Sequence, residues 1–134
     1  MADDLVEAAK AAMGRAHCPY SKFHVGAALE AEDGTVYTGC NVENASYGST
    51  ICAERTAVVT AVAAGRKRFK RIAVASDARE PVAPCGLCRQ FLAEFGTALT
   101  VVSVGTGGKT KSWTLAELLP SAFTGADFAG GTGR

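Results

Sequence analysis

The alternation of helix and strand patterns in the second half of the chain constrains the fold more than any other feature. An Ala- and Val-rich segment, residues 52–64, predicts a buried helix that ends at Gly65. A strand is predicted at 71–76, a second helix at 84–94 and a further strand at 99–104. Strands that are separated by helices favour a largely parallel arrangement, because a parallel connection needs a crossover. The pattern therefore predicts an α/β protein.

The first part of the chain predicts a helix followed by a hairpin. The helix covers residues 3–14, with Asp3 or Asp4 as its N-terminal cap. Two strands, at 25–31 and 35–40, flank a Glu-Asp-Gly turn and predict an antiparallel pair at one edge of the sheet. Residues 41–50 are polar and irregular.

The last part of the chain predicts a short strand at 111–114 and a brief helix at 115–119, which Pro120 stops. Together the elements predict a three-layer α/β/α sandwich around a mixed, mostly five-stranded sheet. The length of 134 residues suits a single domain, 1–134, and residues 130–134 are predicted to be a disordered tail.

Composition narrows the classes of function. The 14 basic and 13 acidic residues leave a net charge of +1, so no strong field attracts nucleic acid polymers or membranes. A basic run at 66–71 is interpreted as a solvated connection between helix and strand, with an RNA contact as the alternative. Apolar runs are too short to span a membrane, and the acidic start does not resemble a signal peptide, so a cytoplasmic location is expected. Five cysteines in a reducing compartment favour metal binding or catalysis over disulfides.

The strongest chemical motif is Cys85-Gly86-Leu87-Cys88, which Pro84 precedes. Cysteines at this spacing lie over one helical turn, close enough to bind one ion, and the helix N-terminus favours their thiolate form. Two alternatives remain open at this point. A thioredoxin-like dithiol shows a similar pattern, and free cysteines also pack well in a core.

A second motif, Cys52-Ala53-Glu54, begins the other buried helix. Cys52 is a third candidate ligand and is expected at the mouth of the helix, with Glu54 facing the same opening. A capping carboxylate is the alternative interpretation of Glu54. Three thiolates leave one tetrahedral position for water, as in catalytic zinc sites, whereas a fourth protein ligand would make the zinc structural. The candidates for such a fourth ligand are His17, Cys18, His24 and Cys40.

These two motifs resemble those of the zinc-dependent cytidine deaminases, whose signature ends in Pro-Cys-x-x-Cys. Many members have His where this chain has Cys52, and the departure is similar to the small members that use three cysteines. The resemblance covers nearly the whole chain and extends to further segments, namely 19–23, 25–28, 39–44, 52–57, 89–90 and 118–123.

The resemblance implies one Zn²⁺ per chain, bound by Cys52, Cys85 and Cys88, with Glu54 as the proton shuttle. It implies that Arg55 hydrogen-bonds the cysteine sulfurs and lowers their charge. It also implies a small homotetrameric enzyme, in which the substrate contacts come from Phe23, Asn41, Glu43 and Ala53 and, from a neighbouring subunit, Tyr47 and Phe123.

The implied activity is hydrolytic deamination of cytidine and deoxycytidine, a reaction of pyrimidine salvage, with release of ammonia. Asn41 and Glu43 would pair with sugar hydroxyls, and Phe23 would pack against the base. The alternatives are a blasticidin-type deaminase, a non-catalytic structural zinc module and a dithiol oxidoreductase that cycles Cys85 with Cys88. Editing of RNA or DNA polymers is not expected, since no basic groove is evident.

Overall fold

The computed structural model describes the chain from residue 2 to residue 128, so the predicted tail at 130–134 lies outside the described residues. These residues form five strands and five helices, together with a 3₁₀ turn at Tyr47–Ser49. In chain order they are α1 (Ala2–Met13), β1 (Val25–Ala31), β2 (Val36–Cys40), α2 (Ala53–Ala63), β3 (Phe69–Ser76), α3 (Gly86–Ala93), β4 (Thr100–Val104), β5 (Thr110–Thr114), α4 (Leu115–Leu118) and α5 (Gly125–Phe128).

The strands form one mixed sheet in the order β2-β1-β3-β4-β5. β1 pairs antiparallel with both β2 and β3, β3 pairs parallel with β4, and β5 closes the other edge antiparallel to β4. β2, β3 and β4 therefore run in one direction, as predicted for strands that helices separate. The prediction that the hairpin supplies an antiparallel edge of the sheet is also confirmed.

Helices cover the two faces of the sheet. α1 packs on one face, where Leu5, Val6 and Ala9 meet apolar side chains of β1, β3 and β4. On the opposite face, α2 and α3 enclose a core that includes Leu29, Ile72, Leu92 and Leu115, of which none is more than 1% exposed. The three-layer α/β/α prediction is confirmed.

A glycine on β2 lets the first turn of α2 lie directly on the sheet. A Cβ atom at Gly39 would come within 2.3 Å of the Ala57 nitrogen and 2.7 Å of the Ala53 carbonyl oxygen. The Thr56 hydroxyl donates to the Cys40 carbonyl oxygen at 2.8 Å and fixes this contact. The start of α2, with the cysteine motif, is therefore held beside the end of β2.

Two helix starts differ from the sequence predictions. α1 begins at Ala2, so Asp3 and Asp4 lie within its first turn instead of capping it. α3 begins at Gly86 with Cys85 as its N-terminal cap, two residues after the predicted start at Pro84. The extended backbone of Cys85 (φ −67°, ψ 167°) separates the proline from the helix. The 3₁₀ turn and α5 were not predicted, since neither segment shows a helical apolar pattern.

The basic segment between α2 and β3 is partly neutralised within the chain. Arg66 binds Asp33 at 2.9 Å and Arg71 binds Glu30 at 2.8 Å. The exposed Arg66 pair supports the interpretation as a solvated connection, whereas residues 69–71 of the basic run belong to β3. Among the residues from 2 to 128, no helix has the length and apolar character that crossing a membrane requires.

Candidate active site and metal centre

The N-termini of α2 and α3 meet on the same side of the sheet and bring three cysteines together. Cys52 is the N-terminal cap of α2, as expected, and Cys85 is the N-terminal cap of α3. Cys88 lies one turn into α3 and is fully buried. Neither cap makes a side-chain hydrogen bond to its own helix, so both sulfurs remain available for a shared ligand. Both helix dipoles favour negative charge there.

The spacing of the three sulfurs fits a tetrahedral zinc site. The Sγ atoms of Cys52 and Cys85 lie 3.8 Å apart, those of Cys85 and Cys88 lie 3.5 Å apart, and all three lie within 4.8 Å of one another. Zn–S bonds of about 2.3 Å at tetrahedral angles place sulfurs about 3.8 Å apart. All three cysteines are free thiols, so the donor set is that of a thiolate zinc site.

The electrostatics of the cluster favour a cation between the sulfurs. Hydrogen bonds from Cys88 and Arg55 lower the pKa of Cys52 to about 5, so its thiolate forms readily. The hydrogen bond to Cys52, together with burial and the nearby Glu54, raises the pKa of Cys88. Three adjacent thiolates repel one another unless a positive ion lies between them. The cluster therefore has the charge and geometry that zinc binding requires.

The cluster contains three ligands. Within residues 2–128, no other His, Cys, Asp or Glu joins the three sulfurs at ligand distance, so none of the candidate fourth ligands does. His24 instead lies against Asp77 at 2.7 Å, and Cys18 is a buried free thiol. This arrangement matches the open position of catalytic zinc better than the closed set of a structural zinc module.

Arg55 turns back from α2 towards the sulfurs. Its Nη2 atom lies 3.7 Å from Cys52 Sγ and donates to the Thr50 carbonyl oxygen at 3.3 Å. The hydrogen bond to Cys52 raises the pKa of Arg55, so its charge is permanent. Arg55 forms no salt bridge with Glu54 or Glu94, the pairing that an arginine at the surface would favour. Arg55 contacts the thiolate charge directly, as the resemblance implies.

Glu54 is the carboxyl group of the site. It is buried in the first turn of α2, with 5% of its surface exposed, and it lines the same cavity as Cys52 and Cys85. Burial, reinforced by the charge of Cys52, raises the pKa of Glu54 to about 7. A carboxyl group with this pKa takes up and releases protons at neutral pH, which suits general acid and base catalysis.

The cavity beside the sulfurs has a volume of about 470 Å³, within the range of small-molecule sites. Five of the sequence-predicted site residues line it besides the two cysteines, and its remaining wall is largely apolar. The lining comprises Phe23, Asn41, Glu43, Ala53 and Glu54 with Cys52 and Cys85, and also Ser21, Val25, Thr50, Val74, Val82 and Ala83.

Asn41 and Glu43 form the polar end of this cavity, and both already bind the chain itself. The Asn41 amide accepts from the Val25 N–H at 2.9 Å and donates to the Phe23 carbonyl oxygen at 2.8 Å. Glu43 accepts from the Ser21 hydroxyl and from the backbone N–H groups of Tyr20 and Ser21. The Ser21 hydroxyl lowers the pKa of Glu43, so the carboxylate is charged. Each side chain retains hydrogen-bonding capacity for a ligand.

Tyr47 and Phe123 do not line this cavity in their own chain. Tyr47 is 73% exposed and its ring lies 5.9 Å from that of Tyr20, outside the cavity. Phe123 is 62% exposed beyond the end of α4, where Gln90 donates to its carbonyl oxygen at 2.7 Å. Neither ring therefore contributes to the cavity of its own chain, which is compatible with the expectation that both act in a neighbouring subunit.

The positioning roles of several residues were not predicted from the sequence. Ser21 holds Glu43, and the buried Ser103 of β4 donates to the Val82 carbonyl oxygen at 2.7 Å, which fixes one wall of the cavity. Arg89 donates to the Pro84 carbonyl oxygen at 2.7 Å and so orders the loop that precedes Cys85. Arg89 lies in one of the segments that carry the family resemblance. Its hydrogen bond to Pro84 was not evident from the sequence, because that contact follows from the fold of a loop.

Comparisons with known proteins agree with this geometry. The family described as "Cytidine and deoxycytidylate deaminase zinc-binding region" matches residues 1–104, a span that includes all three clustered cysteines. Curated relatives include the cytidine deaminases of Sporosarcina psychrophila, 48% identical over 95% of this chain and 94% of that protein, and of Halalkalibacterium halodurans, 50% identical over 92% and 94%.

Solved structures show the same fold. The cytidine deaminase of Burkholderia pseudomallei superposes with a TM-score of 0.89 at 50% identity and covers 92% of this chain and 99% of that one. That of Mycobacterium tuberculosis gives a TM-score of 0.80 at 40% identity, over 90% and 95% of the two chains. With the thiol cluster, the buried glutamate and these matches in agreement, the chain belongs to the zinc-binding cytidine deaminase family.

Proposed function

We propose that this chain hydrolyses cytidine and deoxycytidine to uridine and deoxyuridine with release of ammonia. The observation that carries the proposal is the convergence of three thiols and the buried Glu54 on one cavity of nucleoside size. Water adds its oxygen to C4 of the pyrimidine, and the amino group leaves as ammonia. The curated relatives named cytidine deaminase support this choice of substrate.

Cys52, Cys85 and Cys88 would hold the cofactor. When bound there, Zn²⁺ supplies Lewis acidity that makes water nucleophilic near neutral pH. Three thiolates leave an excess negative charge, which weakens that effect. Arg55 withdraws part of this charge through its contact with Cys52, and the N-termini of α2 and α3 act in the same direction.

Glu54 moves the protons. It takes one proton from the attacking water and delivers it to N3 of the ring, then takes the second proton of that water from the hydroxyl group now on C4 and transfers it to the leaving amine. Because burial raises its pKa to about 7, the same carboxyl group serves as base and then as acid. Glu54 stands two residues from Cys52 and lines the cavity, so it reaches a base that lies beside the sulfurs.

The rest of the cavity binds the nucleoside. Phe23 and the apolar wall pack against the base, and Ala53, fully buried at the start of α2, borders it. Asn41 and Glu43 pair with sugar hydroxyls. The charge of Glu43 disfavours a 5′-phosphate, so the proposed substrate is the free nucleoside and not its monophosphate.

The working unit is proposed to be a homotetramer whose sites are completed across subunits. Phe123 and Tyr47 are exposed in the single chain, and covering such apolar rings between copies favours association. Mixing inactive Glu54→Gln and Phe123→Ala proteins should restore partial activity if Phe123 acts in a neighbouring site. A fully active monomer in analytical ultracentrifugation at assay concentration would contradict the shared site.

The decisive test is incubation of the purified protein with cytidine. We expect stoichiometric uridine and ammonia, with about one equivalent of zinc per chain by elemental analysis. Full activity in a metal-free preparation would contradict the zinc mechanism. Comparable turnover of cytidine and cytidine monophosphate would contradict the assignment of Asn41 and Glu43 to the sugar end of the cavity.

A further inference from the structure

The segment that carries Phe23 is held by two side chains that each follow the end of a strand. Residues 23 and 24 lead into β1, which begins at Val25 and lies between β2 and β3 in the sheet. Asn41 is the first residue after β2, and Asp77 is the first residue after β3. The two side chains approach the segment from opposite sides, so they act as a pair of clamps.

In the Asn41 clamp, the side-chain amide binds the main chain at Phe23 and Val25. The Asp77 clamp binds the residue between them. One carboxylate oxygen of Asp77 accepts from the His24 backbone N–H at 2.7 Å and lies 2.7 Å from His24 Nδ1. The Asp77 backbone N–H donates in turn to the His24 carbonyl oxygen at 3.1 Å.

The acceptor of the Asp77 clamp is charged, and the side chains of His24 and Asp77 are 44% and 38% exposed. The backbone N–H of His24 lowers the pKa of Asp77, so the carboxylate is ionised at neutral pH. Hydrogen bonds to an ionised acceptor are roughly twice as strong as neutral ones. Two such bonds on one residue restrain its main chain and its side chain together.

The turn before Phe23 is held as far as Ser21, because Glu43 accepts from the N–H groups of Tyr20 and Ser21, but it offers less restraint to Phe23 itself. Lys22 adopts a left-handed backbone with φ of 61°, which is unfavourable for a residue with a side chain. The Phe23 N–H binds the exposed Ser21 hydroxyl at 3.0 Å. The Phe23 ring is 39% exposed at the cavity. Its position therefore depends on the anchoring of the residues that follow it.

The geometry points to Asp77 as a positioning residue for the deamination: by holding His24 it fixes where the Phe23 ring stands against the base. This inference rests on the proposed function. Phe23 would contact the base both before and during the reaction. Loosening it therefore weakens binding more than it slows the chemical step.

The test compares Asp77→Ala and Asp77→Asn with Asp33→Ala. Asp33 is the matched control, because it also accepts from one backbone N–H, that of Thr35 at 3.0 Å, and from one basic side chain, that of Arg66 at 2.9 Å. It lies at the hairpin turn and does not line the cavity. For each zinc-loaded protein, KM and kcat for cytidine, the inhibition constant of uridine and the thermal unfolding midpoint are measured.

We expect Asp77→Ala to raise KM for cytidine and the inhibition constant of uridine about tenfold, with kcat lowered less than about threefold. Asp77→Asn retains one acceptor and should give an intermediate KM, and Asp33→Ala should leave both constants unchanged. His24→Ala keeps the backbone bonds and provides a milder variant if Asp77→Ala fails to fold.

The outcomes separate this inference from the proposed function. An active wild-type protein with KM unchanged in the Asp77 variants would overturn the positioning role alone, whatever happens to their thermal stability. A rise in KM of the same size in Asp33→Ala would also overturn it, since any lost surface contact would then suffice. A wild-type protein that leaves cytidine intact would overturn the proposed function and this inference with it.

Discussion

The two ends of the cavity are built in opposite ways. At the thiol end, Cys52 and Cys85 cap two helices without making side-chain cap bonds, so their sulfurs are free for a metal. At the sugar end, Asn41 and Glu43 are already engaged by the main chain of the loop that precedes β1. The thiol end is held in place by two helices that pack against the core, whereas the sugar end is held by its own hydrogen bonds.

This difference predicts how each end responds to substitution. A change at the thiol end removes a group that has no substitute and should affect metal content or the chemical step. A change at the sugar end should act mainly through binding, because the side chains that shape the loop are also those proposed to meet the substrate. Four substitutions test this contrast.

The largest effect is expected for Cys88→Ala at the thiol end. Cys88 is fully buried and provides one of three sulfurs, so its loss should remove most of the zinc, lower the unfolding temperature and reduce activity to background. Elemental analysis and thermal unfolding measure this. The control is Cys18→Ala, a buried free thiol outside the cluster, which should keep about one equivalent of zinc. Full zinc content in Cys88→Ala would contradict the assigned ligand set.

Glu54→Gln should keep the fold and the zinc but lower kcat by about two to four orders of magnitude, because the amide cannot carry protons. Steady-state kinetics on zinc-loaded protein measure the loss. Glu94→Gln, an exposed change at the C-terminal cap of the neighbouring α3, serves as the control. Retention of more than about a tenth of the wild-type kcat would show that another group moves the protons.

Arg55→Ala should lower activity about ten- to a hundredfold with zinc still bound, since Arg55 reduces the charge on Cys52 without binding the ion. The pH dependence of kcat should change with it, because the charge around the metal tunes the acidity of the site. Arg66→Ala removes a surface ion pair and is the matched control. An unchanged kcat and pH profile in Arg55→Ala would show that the contact of Arg55 with Cys52 is structural and does not influence the reaction.

The smallest effect is expected for Glu43→Gln at the sugar end. The amide still accepts hydrogen bonds from the Ser21 region, so the loop should persist, while the charge near the substrate is lost. We expect KM for cytidine to rise about tenfold and the preference for cytidine over its monophosphate to narrow. A loss confined to kcat would contradict the contrast between the two ends.

Much of the fold was predictable because apolar periodicity marks buried faces directly. The strand at 25–31 was predicted to the residue, and the remaining strands began within two residues of their predicted starts. The start of α3 was predicted too early because Pro84 resembles a first helical residue, whereas the extended Cys85 holds it outside the helix. The prediction of Asp3 or Asp4 as the N-terminal cap of α1 was wrong because the helix already begins at Ala2.

The thiol end was predictable because its groups are packed into two short motifs at helix starts. Cys-Ala-Glu and Pro-Cys-Gly-Leu-Cys each carry their geometry locally, since a helix N-terminus fixes which groups face its mouth. The sequence by itself thus indicated the candidate thiol ligands, the carboxyl group beside them and the resemblance to a zinc-dependent deaminase family.

Only the tertiary structure decided how the sugar end is assembled. The partners of Asn41 are 16 and 18 residues away along the chain, Glu43 meets Ser21 across 22 residues, and Asp77 meets His24 across 53. These contacts depend on the register of β1 between β2 and β3, which places the first residues after β2 and β3 beside the loop that enters β1. Such contacts follow from long-range strand pairing, which a local pattern of residues does not encode.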